Sequence, residues 1–173
     1  DDDVVRAAVA EAEAGVQALV DIGGTQGPER FHRRLGDLLY EKCGVTRTAE
    51  GLAEGLRGIQ ELRREFWSDL RVQGRPDGFN QELERAGRVA DYLDMAELMC
   101  LDALDRDESA GAHFREEHQT EGGEAQRDDE HWLFASTWDR ADSGETGETG
   151  PRYIRHQEPL EFPSVPPETR DYR

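Results

Sequence analysis

Residues 80–106, NQELERAGRVADYLDMAELMCLDALDR, decide the fold class. Ala86, Val89, Leu93, Ala96, Cys100 and Ala103 recur there at alternating intervals of three and four, which places them on one face of an α-helix. Asn80 is suited to cap the first free N–H groups. Small residues dominate this seam, so a neighbouring helix can approach closely. Tyr92, Met95, Leu98, Met99, Leu101 and Leu104 widen the apolar surface beyond one stripe, and such a helix needs cover from more than one side. Other helices, the tail or a separate partner domain would have to supply it.

Upstream, Leu52, Leu56, Ile59, Leu62, Phe66 and Leu70 form a second long apolar face. They predict a helix over 48–72, capped by Thr48, with Glu50 and Glu54 in its first turns. At about 1.5 Å per residue it would span roughly 37 Å. Gln73-Gly74-Arg75-Pro76-Asp77-Gly78 breaks the chain between the two helices. Before them, Pro28 opens a segment with Phe31, Leu35, Leu38 and Leu39 on its apolar side and Gly44 as terminator. A first helix carries Val5, Val9, Ala12, Val16 and Leu19 as one stripe. Asp1, Asp2 and Asp3 sit at its positive end, and Gly23 and Gly24 close it.

The helical period ends after Ser109. Residues 105–130 hold ten acidic and three arginine side chains and read as a loop. His131 to Trp138 (HWLFASTW) has the aromatic and β-branched content of a strand. Residues 141–151 (ADSGETGETGP) form a flexible connection, and Tyr153 and Ile154 begin a returning strand. Pro159, Pro163, Pro166 and Pro167 keep the tail extended.

The formal charge is −18, from 39 acidic and 21 basic residues, and such a surface repels phosphate backbones and anionic membranes. Nucleic-acid binding and direct membrane insertion are therefore not expected, and no segment has the length or apolarity of a membrane span or signal peptide. A cytoplasmic protein, or a piece of one, is the expectation. Cys43 and Cys100 lie in no ligand motif and are read as reduced, buried thiols.

The candidate chemistry falls short of a complete site. Asp105, Asp107, Ser109 and Glu116 copy the offsets of an EF-hand calcium loop, but Ala110 stands where that loop needs glycine. His113, His118 and His131, with Glu116, Glu117 and Asp128, have the donor types of a zinc or iron site without its helical spacing. The Gly-x-Ser-x-Gly elbow is missing, and Gly23, Gly24 and Gly27 follow a helix rather than a strand, unlike a phosphate loop. No catalytic, cofactor-binding or metal-binding residue is assigned.

Three ordered stretches carry a resemblance. They are Gly44-Val45-Thr46-Arg47-Thr48 with Leu52-Ala53-Glu54-Gly55-Leu56 and Ile59; Glu108 to Arg115 (ESAGAHFR) with Arg127 to Trp132 (RDDEHW); and Glu158-Pro159-Leu160 with Pro166-Pro167 and Arg170-Asp171-Tyr172. From about Phe31 to the end, the chain resembles the C-terminal region of succinate dehydrogenase and fumarate reductase flavoprotein subunits. The resemblance implies a mainly α fold: a three-helix, spectrin-like antiparallel bundle over 1–108, then a loop-rich subdomain over 109–173 with a short β-hairpin. It also implies that the FAD and capping domains lie upstream, so that this chain alone binds no cofactor and is inactive. The intact subunit would hold FAD, interconvert succinate and fumarate, and pass electrons to an iron–sulfur subunit from the cytoplasmic face of the inner membrane. The family commonly has arginine where Ala110 stands, and Glu117–Gln126 is longer than in many relatives. Ser109, Gly111, His113 and Arg115 are the candidate interface to the N-terminal FAD domain. The C-terminal domain of L-aspartate oxidase and a free-standing acidic helical adaptor are the alternative readings.

Overall fold

The computed structural model describes residues 2–75, 78–141 and 152–168. Of the flexible connection expected at 141–151, Ala141 instead ends a strand, while residues 142–151 and the motif Arg170-Asp171-Tyr172 lie outside the described residues. Four long helices lead the chain: α1 (Asp2–Asp21), α2 (Pro28–Lys42), α3 (Ala49–Asp69) and α4 (Gln81–Asp105). The caps are the expected ones. Thr48 accepts a hydrogen bond from Gly51 N, and Asn80 accepts from the N–H groups of Glu82 and Leu83. Pro28 stands in the first turn of α2, where its missing N–H costs nothing.

Helices α2, α3 and α4 pack against one another, and side-chain contacts between them fix their directions. Phe31 meets Phe66 edge-on, and Lys42 meets Glu54, so α3 runs back along α2. Arg63 pairs with Asp94 and Gln60 with Glu97, so α4 reverses again. This up-down-up arrangement is the expected three-helix bundle. Its core is Leu19, Phe31, Leu35, Cys43, Leu52, Ile59, Leu62, Phe66, Leu70, Ala86, Val89, Leu93, Ala96, Cys100 and Ala103. Every residue of the α4 seam is in it.

Helix α1 behaves differently. Its stripe is helical, but Val5, Val9 and Val16 are 62%, 51% and 42% exposed, and Leu19 alone reaches the core. On α4, Tyr92, Met95 and Met99 also stay open to solvent. None of the described helices is long and apolar enough to cross a membrane.

Helix α3 stops at Asp69, short of the expected residue 72, because the chain after it is drawn into a crossing. Gly24 N donates to Leu70 O at 2.8 Å, and Arg71 N donates to Gln26 O at 2.7 Å. Gly24 is obligatory there: a Cβ would lie 2.1 Å from the backbone carbon of Asp69.

The stretch read as a loop contains structure. Strand β1 (Thr46–Arg47) pairs in parallel with β2 (Phe114–Arg115), and a one-turn helix α5 covers Asp129–Trp132. His131 and Trp132 therefore belong to a helix and not to the strand expected from His131. Asp128 accepts from His131 N and starts that turn before the strand-forming residues begin. Strands β3 (Phe134–Ala141) and β4 (Arg152–Pro159) then pair antiparallel, Phe134 opposite Pro159. The hairpin is held to α4 by Trp138 Nε1 donating to Asp102 and by Tyr153 Oη donating to Asp94 O.

Candidate functional site

The last carbonyls of α4 have no partner within the helix and carry the negative end of its dipole. Arg115 supplies both a donor and a positive charge. Its Nη1 donates to Ala103 O, Leu104 O and Arg106 O at 3.3, 3.4 and 3.4 Å, and the side chain is buried. Arg115 is aimed there by a reciprocal pair with Ser109. Arg115 N donates to Ser109 Oγ at 2.8 Å, and the hydroxyl donates back to Arg115 O at 3.1 Å.

Between them the chain reverses. Ala110 and His113 exchange both backbone hydrogen bonds, and Gly111 at φ +60° makes the tight turn possible. His113 Nε2 donates to Arg106 O at 2.9 Å, while Nδ1 accepts from Arg47 Nη1 at 2.8 Å. Those partners assign a neutral ring protonated on Nε2. Burial and the guanidinium groups of Arg47, Arg115 and Arg106 push its pKa down, against the pull of the Arg106 carbonyl.

Two carboxylates complete the assembly. Buried Glu108 accepts from Arg106 Nε at 2.9 Å and from Asp128 N at 2.8 Å, joining the end of α4 to the start of α5. Glu117 accepts from Ala49 N at 2.6 Å, at the positive end of α3. Burial pushes the Glu117 carboxyl up, but the N–H of Ala49 and Arg115 outweigh it and hold the group below the usual range. Glu116 N donates to Arg47 O, closing β1 onto β2.

Of the four sequence-predicted residues, Ser109 and Arg115 are buried, His113 is half-buried and Gly111 is exposed. The structure brings all four into one clamp. The other candidates are engaged elsewhere. Asp107 pairs with His118 at 2.7 Å, His131 with Asp128, and Asp105 with Arg155. Neither the calcium offsets nor the three histidines converge on a common point, and no cluster of three or more metal-ligating side chains occurs among the described residues.

Sequence reasoning missed Arg47, Arg106 and Glu108 as members of the clamp. It also missed the buried Arg63, 1% exposed, which meets Glu97 at 2.7 Å and Asp94 at 3.1 Å. A signal existed for Arg63: it falls four residues after Ile59 and three before Phe66, on the apolar face.

The fold and this clamp define a mainly α domain whose polar residues fix the end of a helix against a loop, with an apolar helix face left uncovered. The chain belongs to the fumarate reductase flavoprotein C-terminal family, whose sequence pattern matches residues 32–172. A fumarate reductase flavoprotein subunit of Helicobacter pylori is 32% identical over 129 residues, 75% of this chain and 17% of that protein. A succinate dehydrogenase flavoprotein subunit of Bacillus subtilis is 25% identical over 115 residues, 66% of this chain and 18% of that protein. The fold matches the solved E. coli quinol fumarate reductase FrdA with a TM-score of 0.80 at 25% identity, covering 98% of this chain and 27% of that one. The chain thus spans about a fifth of the length of the curated relatives it matches.

Proposed function

We propose that this chain is the C-terminal part of a flavoprotein subunit that interconverts succinate and fumarate with FAD and passes electrons to an iron–sulfur subunit. In this reading the bundle buttresses the FAD domain, and the subunit lies peripherally on the cytoplasmic face of the membrane. The observation that carries it is α1. Four turns of a valine stripe stand in solvent, although the match to the much longer E. coli chain extends over nearly all of this one. A helix with such a stripe gains stability only when something covers it.

The covering surface is the FAD domain, and the tip at Gly111 and Ala112 forms the second contact. Ser109, His113 and Arg115 act behind that tip, holding the turn in place. FAD and substrate would be bound by residues outside this chain; the clamp polar groups described above are already paired.

The test is the double substitution Val5→Glu, Val9→Glu. In this chain alone both positions are open, so helix content and melting should not change. In the longer subunit, the pair should weaken flavin retention and succinate oxidation and lower the melting temperature. Unchanged flavin retention, activity and melting of the longer protein would remove the proposal.

A further inference from the structure

We propose that Cys43 and Cys100 form a peroxide-oxidisable dithiol, a modification site that closes to a disulfide between the end of α2 and the last two turns of α4. The two cysteines are 57 positions apart in sequence, yet the bundle brings them together. Cys43 ends α2, and its sulfur lies 4.0 Å from the carbonyl of Met99, the neighbour of Cys100. The sulfur of Cys100 lies 3.6 Å from the point where a Cβ on Gly55 would stand, and Cβ of Lys42, the neighbour of Cys43, lies 3.1 Å from the same point. Both sulfurs therefore lie in the same place, between the end of α2, Gly55 on α3 and α4. Both are free and buried, Cys43 7% and Cys100 0% exposed.

The surroundings distinguish the two thiols. The adjacent Cys100 thiol and the charge of Arg47 lower the pKa of Cys43 against the opposing effect of burial. For Cys100 the adjacent Cys43 sulfur, burial and the neighbouring Glu97 all act the other way, Arg47 alone opposing them. Cys43, at the end of α2 and 7% exposed against 0% for Cys100, is therefore the attacking thiolate, and Cys100 is the resolving thiol.

The chemistry balances with hydrogen peroxide as oxidant. Cys43 thiolate attacks one peroxide oxygen, the O–O bond breaks, and the departing hydroxide takes a proton to become water. Cys43 is left as a sulfenic acid. The Cys100 sulfur then attacks the Cys43 sulfur, the S–O bond breaks, and hydroxide leaves with the Cys100 proton as a second water. Two thiols and one peroxide give one disulfide and two waters, with two electrons moved from sulfur to oxygen. The bridge would pin the end of α2, and β1 just beyond it, to α4.

The experiment treats the full-length protein carrying this chain with peroxide, in the presence of a cysteine-containing reference peptide. After quenching, denaturing alkylation and peptide mass spectrometry read the products. The expected product is a reducible cross-link joining the Cys43 and Cys100 peptides, formed before the reference thiol is half consumed. With Cys100→Ser, a dimedone-type probe should label Cys43; with Cys43→Ser, Cys100 should stay unlabelled and alkylatable. Complete oxidation of the reference while both cysteines still alkylate would overturn the proposal. So would over-oxidation of Cys43 without a bridge, or probe labelling at Cys100 in the Cys43→Ser protein.

Discussion

Replacing Arg63 by alanine should be among the most damaging single changes in this chain. The guanidinium is 1% exposed, lies 2.7 Å from a Glu97 oxygen and 3.1 Å from an Asp94 oxygen, and donates to Leu93 O at 3.1 Å. Without it, Glu97 remains buried with Gln60 as its hydrogen-bonding partner, 3.2 Å away. Asp94 suffers less, since it is partly exposed and Arg140 lies 3.7 Å from its other oxygen. Breaking a buried pair in this way costs about 3–5 kcal/mol. At about 2–4 °C per kcal/mol for a chain of this size, melting should fall by roughly 6–20 °C. Removing both charges together, as Arg63→Met with Glu97→Leu, should recover most of the loss, because an apolar pair leaves no carboxylate stranded. Urea unfolding followed by circular dichroism measures both. A cost for Arg63→Ala below about 1 kcal/mol, or a double variant weaker than the single one, would refute the reasoning.

Gly24→Ala should cost several kcal/mol through the backbone collision at Asp69, whereas Gly15→Ala, with nothing within 4 Å, should gain up to about 1 kcal/mol in the α1 interior; thermal melts of the two separate a steric from a propensity effect. Arg115→Met should fray the end of α4, seen as faster amide exchange through residues 102–109, with Arg34→Met, which breaks an exposed pair, costing about 1 kcal/mol or less. His113 has a folded pKa below its ordinary 6.5, so the unfolded chain takes up its proton first as pH falls. Its stabilising contribution is complete above pH 6.5 and is lost as pH falls through the folded pKa. His113→Gln should therefore flatten the stability profile below about pH 6.5.

Much of the bundle was legible because its signals are local and periodic. The three–four spacing from Ala86 to Ala103 survives intact as the buried seam, and Thr48 and Asn80 cap where their side chains allow. What escaped was non-local. Thr46 and Phe114 pair across 68 residues with two-residue strands too short to show a period. The approach of Cys43 to Cys100 likewise depends on the packing of α2 beside α4. The misplaced strand start at His131 has a local cause: Asp128 can cap a turn as readily as the aromatics after it can extend a strand. The stripe of α1 was read correctly as a helix face, but periodicity reports which side is apolar and never what covers it.

The most direct measurement is to isolate the native polypeptide carrying this chain, through an antibody to the bundle, and record its intact mass and visible spectrum. The expected result is a polypeptide several times the 19.5 kDa of this chain, with flavin absorbance that bleaches on adding succinate. A polypeptide of 19.5 kDa with no flavin would contradict the assignment to a succinate- and fumarate-converting subunit.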